Sequence, residues 1–183
     1  MAAFAKLGLA HGVPPCTLMV MIGFRILSVI PTLTAIAVVT QAGAAGLKLP
    51  EDCTLRPNDP ASCAPLVACL GGTGIYFTGR AIGWNTGTHA WRSSAGFSCY
   101  GEWSVTGSLG LGEATIECDN GLTGAAYFFS RDPQTGTGIG LGRLSSGQEF
   151  HLWTGHNVKQ FLLNQYGDLN PAKLCSGLSK PVS

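Results

Sequence analysis

Charge is what this chain has least of: only 11% of its 183 residues are Asp, Glu, Lys or Arg. With Lys6 and Arg25 of the N-terminal segment set aside, nine of the eleven Lys and Arg remain against ten Asp and Glu, a net charge of about −1. No basic stripe exists. The phosphate-binding contribution that nucleic-acid proteins depend on is therefore missing, and no nucleic-acid partner is expected. Catalytic signatures are lacking too. Gly-x-Ser-x-Gly and His-Glu-x-x-His are both absent. No Cys-x-x-Cys pair or Cys/His cluster at ligand spacing supports a zinc site, so no metal and no cofactor are expected. Glycine is plentiful, yet Gly136, Gly138, Gly140 and Gly142 recur at every second residue. That spacing is not a Gly-x-Gly-x-x-Gly turn before a helix, and no Walker Lys-Ser/Thr follows, which excludes a nucleotide loop.

What is present divides the chain into four parts. Residues 1–44 hold Arg25, an apolar run from Ile26 to Val39 and the small residues Ala42-Gly43-Ala44, the pattern of an export signal. Pro31 and the scattered Thr and Ser favour cleavage; an uncleaved anchor is the alternative, and the only route to a membrane. A start at Met19 or Met21 would give such a signal ordinary proportions. Residues 45–70 carry four prolines before Leu66 and read as a Cys/Pro-rich arm, with Pro65 to Leu70 as one helical turn or an edge segment. Leu66-Val67-Ala68-Cys69 has the form of a lipoprotein box but lies too far beyond the signal to serve as one. Residues 71–155 contain 19 of the 26 glycines and read as an antiparallel β domain. Residues 156–183 form a short helix and a cysteine-tethered tail.

Six of the seven cysteines follow the signal: Cys53, Cys63, Cys69, Cys99, Cys118 and Cys175. An even number in an exported domain implies disulfides and a periplasmic or secreted location. Facing residues of an antiparallel pair can be written out. Setting Cys99 opposite Cys118 places Trp103 opposite Ala114, so each bulky residue meets a small one. Tyr100, Glu102, Glu113 and Glu117 then share a polar outer face. Cys99–Cys118 is the bridge argued from geometry. Cys53–Cys63 and Cys69–Cys175 are the pairs guessed for the rest.

Asn120-Gly121 reads as a two-residue type I′ hairpin, which would return Ala125, Tyr127 and Phe129 to the Ile116 side. Earlier strands are expected at Ile75–Ala81 and Thr88–Arg92, joined at Trp84-Asn85-Thr86-Gly87. A turn at Ser146-Gly147 sets Gly140 opposite Trp153 and Gly142 opposite His151, with Ile139, Leu141, Phe150 and Leu152 in the core. Trp153 and His151 would then lie over a glycine floor on the outer face, either covering bare backbone or forming a flat recognition surface. From His156 to Tyr166, Val158, Phe161, Leu162 and Gln165 share a helical face expected to cap one end of the sheet. The fold expected is mainly β: a small antiparallel meander or barrel of about 6–8 strands with a short C-terminal helix, stapled by disulfides.

Cys118-Asp119-Asn120-Gly121, then Ser145-Ser146-Gly147 leading to Phe150 and Leu152-Trp153-Thr154-Gly155, resemble the periplasmic C-type lysozyme inhibitors. That resemblance implies a small exported β-barrel that inserts a Ser-bearing loop, here Ser145 and Ser146, into the cleft of lysozyme. The chain is also similar to small exported bacterial β-meander proteins, which imply no activity. The function expected is thus non-enzymatic: an exported binding or structural protein whose partner is an envelope protein or a small ligand. A lysozyme-inhibitor-like protein is the first alternative. A small hydrolase or ligand carrier using His151, with Glu149 on the same strand face, is the second.

Overall fold

The structure, a computed structural model, describes residues 46–178. The proposed export signal lies outside the described residues. Eight antiparallel strands close on themselves in sequence order. They are β1 (Cys63–Leu70), β2 (Tyr76–Trp84), β3 (Thr86–Ser93), β4 (Ser98–Ser104), β5 (Gly112–Cys118), β6 (Thr123–Arg131), β7 (Gly138–Leu144) and β8 (Glu149–Thr154). Two short helices follow, α1 (Val158–Tyr166) and α2 (Pro171–Gly177). Three disulfides join Cys53 to Cys63, Cys69 to Cys175 and Cys99 to Cys118, the three expected pairs. They are consistent with an oxidising, exported environment.

The β4–β5 register is the one read from volume complementarity: Cys99 faces Cys118 and Trp103 faces Ala114. The next turn differs. Cys118 N donates to Leu122 O (2.8 Å) and Gly121 N to Cys118 O (3.0 Å), so the loop has three residues, with only Gly121 at positive φ (83°). A type I turn ending in a left-handed glycine replaces the type I′ turn. One extra loop residue turns over the side chains of the strand that follows. Ala126 and Phe128 therefore face inward with Ile116, while Ala125, Tyr127 and Phe129 face out and are exposed.

The same correction applies at Ser145-Ser146-Gly147, where Leu144 N donates to Gln148 O (2.9 Å). Gly140 faces Leu152 and Gly142 faces Phe150, not Trp153 and His151. Phe150 and Leu152 are in the core as expected, whereas Ile139 and Leu141 are on the outer face. The alternating glycines thus point inward, beneath the bulky residues of β8. A Cβ on Gly142 would lie 2.1 Å from Phe150 Cζ.

Pro65 to Leu70 is neither a helical turn nor an edge. It belongs to β1, which pairs with both β2 and β8 and so closes the barrel. Pro65 is tolerated because the β8 ladder begins one residue later, at Leu66–Thr154. Leu66, Ala68 and Leu70 point inward. Val67 and Cys69 point outward into a second apolar cluster with Trp153, Val158, Phe161, Leu162 and Leu174. α1 therefore packs on the side of the barrel rather than capping an end. The cysteine-tethered tail holds a second helix: Asn170 Oδ1 accepts from Ala172 N (3.1 Å) and Lys173 N (3.3 Å), and Pro171 occupies the first helical position of α2.

Candidate functional site

The two ends of the barrel are filled differently. At the end carrying the β1–β2, β3–β4, β5–β6 and β7–β8 turns, Phe77, Trp91 and Phe150 fill the interior. Ring centroids lie 5.0 Å apart for Phe77–Trp91 and 5.7 Å for Trp91–Phe150. Ile75, Phe97 and Leu122 cover them. At the other end many inward positions are small, among them Ala64, Ala81, Gly83, Gly112, Ala114 and Gly138. Among the described residues nothing fills the space they leave. A cavity of about 840 Å³ opens there between the β2–β3, β4–β5 and β6–β7 loops.

Its walls are mostly apolar, with Trp103, Phe128 and Leu152 on the sides and Trp91 toward the floor. Leu55, Val105 and Phe129 form an exposed apolar collar at the mouth. Among the described residues no Asp or Glu lines it, and Arg131 is the one Lys or Arg that does. The Trp103 indole is fixed by Nε1–H donation to Thr88 O (3.2 Å) and Ile82 O (3.3 Å).

His89 sets the cavity's inner wall. It faces Gly101 across the β3–β4 ladder, and its Nε2–H donates to Thr115 O on β5 (2.8 Å). Gly101 makes this reach possible, since a Cβ there would lie 2.9 Å from His89 Nε2 and 1.9 Å from Thr115 O. A histidine over bare glycine was expected at His151 and Gly142; it exists at His89 and Gly101. Burial holds the His89 pKa below its ordinary value, against an opposing rise from the Thr115 carbonyl. The ring is thus neutral near pH 7, with Nδ1 unprotonated. His89 Nδ1, Trp91 Nε1 and His156 Nε2 are buried without a hydrogen-bond partner among the described residues, and all three residues line the cavity.

The residues singled out from sequence lie elsewhere. Ser145 and Ser146 are in the exposed β7–β8 turn, at the end opposite the mouth. Ser145 Oγ accepts from Thr123 N (3.2 Å), and Ser146 Oγ donates to Gln148 Oε1 (3.2 Å). Trp153 is on the outer face as expected but is 2% exposed, covered by the helices. His151 stacks on it, with centroids 6.3 Å apart, outside the barrel. Burial lowers the His151 pKa, partly offset by Glu149, whose carboxylate is paired with Arg143. His151 therefore does not line the barrel interior. Among the described residues no three His, Cys, Asp or Glu gather as a metal site.

Sequence reasoning missed His89, Arg131 and His156. The signal available for His89 was its place in an alternating strand beside Trp91, opposite a glycine. No helix among the described residues is long and apolar enough to cross a membrane. No family model and no curated protein matches this chain. Among solved structures, it is similar to a de novo designed fluorescence-activating β-barrel, at 13% identity and a TM-score of 0.41. The match covers 51% of this chain and 90% of that one.

Proposed function

We propose that this is an exported, non-enzymatic binding protein that holds one small, largely apolar molecule in the open end of its barrel. The observation that carries this reading is the cavity of about 840 Å³, walled by apolar side chains and open at one end. Ligand sites in folded domains are of this size and character, apolar with a few polar groups that fix orientation. Eight strands enclose just enough room for either a filled core or one small ligand, and the inward alanines and glycines leave the second option. Burial of an apolar ligand supplies the affinity, at about 25 cal/mol for each Å² removed from water.

Titration with the neutral fluorophore N-phenyl-naphthylamine tests the reading. Saturable enhancement at one site per chain is expected, abolished in Ala64→Phe and Ala114→Phe variants that keep the wild-type circular dichroism. Absence of saturable binding, or binding unaffected by both substitutions, would overturn it.

A further inference from the structure

Arg131 is carried to the cavity mouth by an irregularity in β6. Phe128 faces Gly140 and Ser130 faces Ile139, so Phe129 is an extra residue, a β-bulge. Phe128 points inward, and uninterrupted alternation would place Arg131 on the outer face. The bulge reverses this. Arg131 instead pairs with Gly138, on the side that lines the cavity. Bulges beside binding sites commonly serve to re-aim one side chain.

The guanidinium is steadied but not neutralised. Arg131 Nε donates to Gly136 O (3.1 Å), and neither Nη group has a hydrogen-bond or ion-pair partner among the described residues. The neighbouring Asp132 is turned into its own loop, where Oδ2 accepts from Thr135 N (2.7 Å) and Thr135 Oγ1 (2.6 Å). Glu113, next to Gly112 of the wall, accepts from Ser108 Oγ (3.3 Å) beneath the β4–β5 loop and does not line the cavity. His156 joins Arg131 on this part of the rim. Gly136 O, which Arg131 holds, lies 3.4 Å from the Cβ position of Gly155, the residue before His156.

The geometry points to an amphiphile with an anionic head as the ligand: an apolar chain in the barrel and a carboxylate at the mouth, held by Arg131. This deepens the proposed function and rests on it. A planar carboxylate matches the paired N–H groups of an Arg, and the apolar surroundings strengthen that contact relative to open water. The head stays near solvent, which spares it most of the cost of burying a charge. Among the described residues no Asp or Glu of the lining opposes that attraction.

Calorimetric titrations with sodium decanoate, decanol and decyltrimethylammonium, at pH 7.5 and low salt, separate the possibilities. Decanoate is expected to bind about 10-fold tighter than decanol, the gain of one charge-assisted contact. Decyltrimethylammonium should be the weakest. Arg131→Gln should remove most of the decanoate advantage and leave decanol within about 2-fold, as a rim charge rather than a wall residue would. In the wild-type protein, added salt should weaken decanoate and spare decanol, a readout that needs no variant. Decanol binding as tightly as decanoate, or Arg131→Gln weakening both alike, would overturn the head-group assignment while leaving the cavity reading intact. Failure of all three probes to bind would overturn both.

Discussion

The closed and open ends of the barrel are built from the same eight strands, and the difference between them is one of side-chain volume. Toward the closed end β8 contributes Phe150 and β3 contributes Trp91; toward the open end β1, β2 and β5 contribute Ala64, Ala81 and Ala114. Glycine serves both ends in opposite ways. Gly142 is empty so that Phe150 can occupy its place, whereas a Cβ on Gly138 would meet nothing nearer than Thr154 Cγ2 at 3.4 Å, an ordinary van der Waals contact. Stability is thereby concentrated at one end, and room for a ligand at the other.

Four substitutions break or sharpen that comparison. Phe150→Ala should cost about 3–5 kcal/mol in urea unfolding, whereas Phe128→Ala, half-buried at the cavity, should cost less than half as much. Equal costs would mean that the closed end is not the packed one. Gly142→Ala should destabilise by about 1–3 kcal/mol, because its Cβ would collide with Phe150 Cζ and with Ala125 O at 2.6 Å. Gly138→Ala should stay within about 0.5 kcal/mol of wild type by the same measurement.

The pH dependence gives a smaller effect on the boundary between the two ends, at His89. Its folded pKa lies below the ordinary histidine value of 6.5, so the unfolded chain takes up the proton more readily. Stability from this group is complete above about pH 6.5 and is lost as the pH falls below it. His151 and His156 are shifted in the same direction and share the window. His89→Gln isolates the His89 part: melting temperatures of variant and wild type should converge as the pH drops from 7 to 5. Asp132, Asp52 and Asp168 are held below the usual carboxylate value of 3.8, and their contribution is lost only as the pH falls through that lower region. A small effect is also expected on the outer face. Arg143→Ala, breaking an ion pair with Glu149 in which both side chains are about two-thirds exposed, should cost less than about 1 kcal/mol.

The fold was largely legible because its information is local and repeated. Cys99, Trp103, Ala114 and Cys118 gave a register through volume, and the cysteines gave a closed, braced chain. Two hairpins were misread for a single reason: Asn120-Gly121 and Ser146-Gly147 fit a two-residue turn as well as the last two residues of a three-residue one. The choice between them turns on whether the Asn or Ser takes a positive φ, which neither does. The first slip exchanged the two faces of β6 and the second those of β7, while β8 kept the faces expected of it. The glycine floor expected under His151 and Trp153 is therefore absent, and the histidine that lies over a glycine is His89, opposite Gly101. α2 was readable from Asn170-Pro171 and went unused. The cavity itself had no local signal, since it comes from small residues that only barrel closure brings together. The bulge at Phe129 that aims Arg131 inward likewise depends on pairing with β7.

The most direct measurement of the account is an NMR titration of the labelled protein with sodium decanoate. Saturable shifts are predicted at Ala64, Ala81, Ala114 and Ala126, with Phe97, Leu122 and Phe150 unmoved. Shifts confined to the outer Tyr127–Leu141 face, or spread evenly over both ends of the barrel, would contradict it.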